Sequence, residues 1–97
     1  MSIQIVVVFD VRPERFDTAV AAFRDLAART IEEEGALRFD AFLSQGRDNT
    51  VVLVEEWADQ DAIDQHMKED CVREFLDRVE GCFRSEATVH RLEAVGA

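Results

Sequence analysis

The sequence predicts one α+β domain of the split β-α-β type, in which helices cover one face of a four-stranded antiparallel sheet. Its 97 residues (1–97) leave room for a single domain, since domains commonly run to about 100–150 residues. A long amphipathic helical pattern separates the first two strand-like runs, and a turn-rich segment separates the second from the third. Further helical pattern and a last strand complete the order β-α-β-β-α-(α)-β.

Ile3, Ile5, Val7, Phe9 and Val11 alternate, and Val6 and Val8 make the opposite side apolar as well, so Ile3 to Val11 reads as a strand covered on both faces. Asp10 closes this run. Pro13 then stands where a fixed φ and a missing N–H suit the start of a helix. Phe16, Ala19, Val20, Phe23, Leu26, Ala27, Thr30 and Ile31 follow the i, i+3, i+4, i+7 grid, and Gly35 is expected as the left-handed C-cap. Leu37, Phe39, Ala41 and Leu43 alternate with Arg38, Asp40, Phe42 and Ser44, a second strand with one buried face and one mixed face. Gln45 to Thr50, with Gly46 and Asn49, carries hairpin turn chemistry, and Val51 to Trp57 is the returning strand. Asp59 can cap a short helix through Ala62, Ile63, His66 and Met67. Val72, Phe75, Leu76 and Val79 form a further helical stripe after a break at Glu69 to Cys71, and Glu86 to Leu92 reads as the last strand.

The composition narrows the partners. Eleven basic against twenty-one acidic residues leave a net charge of −10, which repels phosphate backbones and anionic lipid heads. Nucleic acid and membrane surfaces are therefore not expected as partners. The longest apolar run, Ile5 to Phe9, is far below the roughly 20 residues of a membrane span, so a cytoplasmic protein is expected. Apolar side chains on both sides of the sheet, Val6 and Val8 on one strand and Phe42, Val52 and Val54 on others, exceed what one helical layer hides. A second copy packed face to face about 10 Å away would cover them, so a homodimer is expected.

Three stretches carry a family resemblance: Glu34-Gly35-Ala36-Leu37-Arg38-Phe39-Asp40, Glu55-Glu56-Trp57, and Asp61-Ala62-Ile63 followed by His66. In their order and spacing the chain resembles the antibiotic biosynthesis monooxygenase domain over nearly its whole length. The resemblance implies a ferredoxin-like α+β fold forming a dimeric α/β barrel, with a pocket between sheet and helices in each protomer. It also implies oxygenation of quinol-like aromatics without metal or flavin cofactor. The stretch Glu33 to Asp40 looks especially like the subgroup that isomerises a phosphorylated quorum-sensing signal, but Ala27 and Cys71 stand where that subgroup has histidines. Haem-degrading relatives need an asparagine, a tryptophan and an axial histidine where this chain has Val7, His66 and Leu76.

His66 is the candidate catalytic residue, a side chain titrating near neutrality at a core-facing helix position beside Ile63 and Met67. It can remove a phenolic proton, leaving an anion that gives one electron directly to dioxygen. It can equally be a histidine hydrogen-bonded to backbone at the edge of the core. Trp57 can stack on a flat ring and offer its indole N–H, or simply fill the core. Phe39 and Phe42 alternate sides, so at most one faces a pocket; the family carries tyrosine at the Phe39 position, and this chain has none. Phe75 is expected to help wall the cavity.

Glu55 and Glu56 also point to opposite faces, so one is directed inward and needs a raised pKa or a cationic partner. Arg24 or Arg38 could be that partner, and a structural ion pair is the other reading. Arg24 is a substrate-anchor candidate by analogy with the family alone. Glu32, Glu33 and Glu34 crowd a helix C-terminus, where the macrodipole disfavours them; a solvated face or pairing with Arg29 would account for this. Cys71 and Cys82 fit no zinc spacing, Cys82 is expected to be buried, Cys71 to be an inert thiol, and His90 to be a surface or interface residue. The expected activity is cofactor-independent oxidation of a small quinol or polyphenol. Isomerisation of a small phosphorylated or keto compound, and a non-catalytic binding or stress-response module, are the alternatives.

Overall fold

Strand β1 (Ile3–Asp10) runs antiparallel between β3 (Thr50–Trp57) and β4 (Thr88–Leu92), and β2 (Ala36–Leu43) flanks β3, giving the sheet order β2-β3-β1-β4. The computed structural model describes residues 1–96. Helices α1 (Phe16–Thr30), α2 (Gln60–His66) and α3 (Asp70–Arg78) complete the ferredoxin-like α+β fold. Among the described residues, no helix is long and apolar enough to cross a membrane.

Register decides which side chains meet the helices. Val7 pairs with Leu53 and Val89, and Leu53 pairs with Ala41; one rung further, Ile5 pairs with Glu55 and Arg91, and Glu55 pairs with Phe39. Because side chains alternate with a period of two, Phe39, Leu53, Val7 and Phe9 share one face. That face packs into a single core with Phe23, Leu26, Val72 and Phe75 from the helices. Phe23 sits at its centre, 4.8 Å from the Phe9 ring and 4.9 Å from the Phe75 ring. Val6, Val8, Val52, Val54 and Phe42 lie on the opposite face, which no element of the described chain covers.

Several boundaries differ from the sequence reading. β1 stops at Asp10, and Val11, although fully buried, makes only an isolated bridge to Phe83. Pro13 opens a short 3-10 turn, Pro13–Arg15, that runs into α1. α1 ends at Thr30, so Gly35 is not its C-cap and Ile31 is exposed. Gly35 has φ +88° in the turn into β2, and a Cβ there would lie 2.6 Å from the Ala62 Cβ. The glycine thus lets α2 pack against the start of β2. A bulge between Ala36 and Arg38 interrupts the alternation, leaving Leu37 exposed, and Leu43 is exposed toward the end of this edge strand. Leu76 is exposed as well, and β4 begins at Thr88 rather than Glu86. Asp59 caps α2 as expected, its Oδ1 accepting the Ala62 N–H at 2.9 Å.

Candidate functional site

Between the helix-facing side of the sheet and α2 and α3 lies a cavity of about 320 Å³. Phe39, Leu53, Trp57, Ile63, Val72 and Phe75 supply much of its apolar wall, while Met67, Leu76 and Val89 line it yet remain more than half exposed. Among the described residues, only Glu55 and His66 bring titratable side chains to it. An apolar hollow with a few polar groups is the usual form of a small-molecule site.

His66 ends α2 and is buried. Its Nδ1 lies 3.0 Å from Glu33 Oε1 and 3.1 Å from Glu33 Oε2. Glu33 comes from the turn between α1 and β2, which carries its carboxylate inward while Glu32 and Glu34 remain in solvent. An ionised carboxylate only accepts, so a neutral imidazole in this contact carries its proton on Nδ1 and presents Nε2 as an acceptor. Nε2 has no hydrogen-bond partner among the described residues. The imidazole packs 4.7 Å from the Trp57 ring and 5.7 Å from the Phe39 ring. Cys71, at the start of α3, donates its thiol to Glu33 Oε2 at 3.6 Å. Burial, and then the Glu33 charge, push the Cys71 thiol up, as befits an unreactive cysteine.

The second polar corner belongs to Glu55 and Trp57. The indole N–H donates to Glu55 Oε1 at 2.9 Å. Burial pushes the Glu55 carboxyl above its ordinary value, against the opposing pull of the Trp57 hydrogen bond and the neighbouring His66. The Trp57 N–H is therefore engaged within the protein rather than free for a ligand.

Of the residues singled out from sequence, His66, Phe39, Trp57, Phe75 and Glu55 converge on this cavity. Phe42 and Glu56 fall on the other face, where Glu56 accepts the Ser2 hydroxyl. Arg24 does not join the others: it is exposed on α1 and lines a separate cleft with Val20, Ala41 and Leu43. Neither arginine partners Glu55, because Arg38 pairs with Asp40 at 2.8 Å. Arg29 pairs with Glu74 rather than with the glutamate cluster. His90 is exposed on β4 and Cys82 is fully buried. Glu33 is the site residue that pattern reading missed. Three glutamates set against a helix dipole were the available sign, but their sequence could not show that one of them turns inward.

Residues 2–78 match the family model described as antibiotic biosynthesis monooxygenase. A relative from Bacillus subtilis (strain 168), named "Putative monooxygenase YcnE", is 32% identical over 56 residues, 58% of this chain. That match spans 59% of the relative's own length. A crystal structure of an antibiotic biosynthesis monooxygenase has a TM-score of 0.89 at 26% identity, covering 98% of this chain and 99% of that one. The structure of Rv0793 from Mycobacterium tuberculosis shares the fold with a TM-score of 0.90 at 18% identity, covering 100% of this chain and 98% of that one. By the extent of the family match and the agreement in fold, the chain belongs to the antibiotic biosynthesis monooxygenase family.

Proposed function

We propose that this protein is a cofactor-independent monooxygenase that oxidises a small quinol or polyphenol, with His66 as general base. The observation that carries this reading is the Glu33–His66 pair at 3.0 Å beside an apolar cavity, which leaves Nε2 free to take a proton. A phenolic ring bound among Phe39, Trp57 and Phe75 gives its hydroxyl proton to Nε2, and Glu33 stabilises the imidazolium that forms. The phenolate transfers one electron to dioxygen, and the phenoxyl radical and superoxide combine into a carbon–oxygen bond. Proton return and cleavage of the O–O bond release water and leave a quinone. All four electrons come from the substrate: a phenol and one O2 give a quinone and one H2O. Apolar walls favour this route by binding the ring and keeping bulk water from the radical pair.

The family resemblance and the uncovered apolar face of Val6, Val8, Val52, Val54 and Phe42 support a homodimer, with one cavity in each protomer. A cytoplasmic location belongs to the same reading. Oxygen uptake with a series of quinols tests the activity. Uptake above buffer that is lost in His66→Ala supports it. Uptake equal to buffer, or unchanged in that variant, overturns it; ligand-induced thermal shifts without turnover would instead favour a binding module.

A further inference from the structure

The two polar groups of the cavity differ in their chemistry. His66 is held from behind by Glu33, whereas Glu55 brings a carboxylate to the wall itself. Its Oε1 is occupied by the Trp57 N–H at 2.9 Å, and Oε2 has no hydrogen-bond partner among the described residues. No lysine or arginine lines the cavity among the described residues. Arg91 sits across Ile5 from Glu55 in the sheet, but its guanidinium donates to Gln60 Oε1 at 2.8 Å. A negative group on a ligand would thus meet a carboxylate with no lysine or arginine to offset it, the one histidine of the wall being paired already with Glu33, between apolar walls that strengthen like-charge repulsion. The net charge of −10 adds repulsion at longer range.

We propose that Glu55 is the specificity-determining residue of this cavity, its free carboxylate oxygen receiving a hydroxyl or ammonium donor from a ring ligand and turning away rings that carry a carboxylate or phosphate. The inference rests on the cavity being the ligand site. It disfavours a phosphorylated substrate, for which the cavity supplies no lysine or arginine among the described residues.

Trp57 is the sole tryptophan, and the chain has no tyrosine, so intrinsic fluorescence reports directly on the cavity wall. Benzyl alcohol, benzylamine, phenylacetate and benzyl phosphate share one ring and differ in charge. Titrated into the full chain, the alcohol and the amine are expected to bind at least about tenfold more tightly than the two anions. Glu55→Gln keeps a carbonyl for the Trp57 N–H and removes the charge. It is expected to bring the amine-to-phenylacetate affinity ratio close to unity, while Glu56→Gln on the opposite face leaves that ratio as in the parent. Anions binding as tightly as the alcohol, or a ratio unchanged in Glu55→Gln, overturn the charge selection while the cavity reading stands. If none of the four probes perturbs the fluorescence or binds by calorimetry, the cavity reading fails and the inference falls with it.

Discussion

Glu33 Oε1 and His66 Nδ1 lie 3.0 Å apart, joining the turn after α1 to the last residue of α2. The contact links residues 33 apart in sequence and decides which imidazole nitrogen can act on a ligand. Four consequences of this arrangement and its setting can be measured.

Replacing Glu33 by Gln keeps the shape but removes the charge that stabilises an imidazolium. Its amide can also donate, which allows the unproductive tautomer. Turnover is expected to fall by about 10²-fold or more, with ring-ligand affinity changed much less. Oxygen-uptake kinetics together with tryptophan-fluorescence binding separate the two effects. An unchanged kcat would show that Glu33 has no positioning role.

Glu55 titrates above its ordinary value of 4.5 because burial disfavours its charged form. In the window from 4.5 up to the folded-state value, the native protein holds more protons than the unfolded chain. Its contribution to stability is therefore present below 4.5 and is lost as pH rises through the folded-state value. Urea denaturation across this range, parent minus Glu55→Gln, should show a difference that declines with rising pH. A flat or rising difference would contradict the assignment.

Gly35→Ala introduces a Cβ that would lie 2.6 Å from that of Ala62, at a backbone φ of +88°. Steric displacement of α2 and a left-handed backbone both oppose the substitution, so a loss of about 1–3 kcal/mol is expected. Calorimetric melting checks it, and an unchanged midpoint would mean that α2 can shift freely.

The uncovered apolar face leads to an expectation about assembly. Light scattering after gel filtration should give twice the chain mass for the parent and the single-chain mass for Val52→Glu or Val54→Lys. These positions sit on the face opposite the cavity, so ring-ligand binding tests whether the cavity survives separation of the protomers. A monomeric parent would remove the dimer from the proposed function.

What could be read along the chain was whatever depends on near neighbours. The period of two over Ile3 to Phe9, the helical grid from Phe16 to Thr30 and the Asp59 cap are local patterns, and each element appears where its pattern lies. Three short stretches also carried the resemblance to the family. Tertiary structure decided the rest, because it depends on partners distant in sequence. Alternation alone could not say whether Phe39 or Phe42, or Glu55 or Glu56, turns inward. Pairing of Phe39 with Glu55, and of Glu55 with Ile5, settles both choices at once. A bulge after Ala36 exposes Leu37, and folding sets Glu33, in the turn between α1 and β2, against His66. Arg24 lies on a predicted helix, but only packing shows that it lines a different cleft. A side chain's chemistry is written in its residue type, whereas its neighbours exist only once the strands have chosen their register.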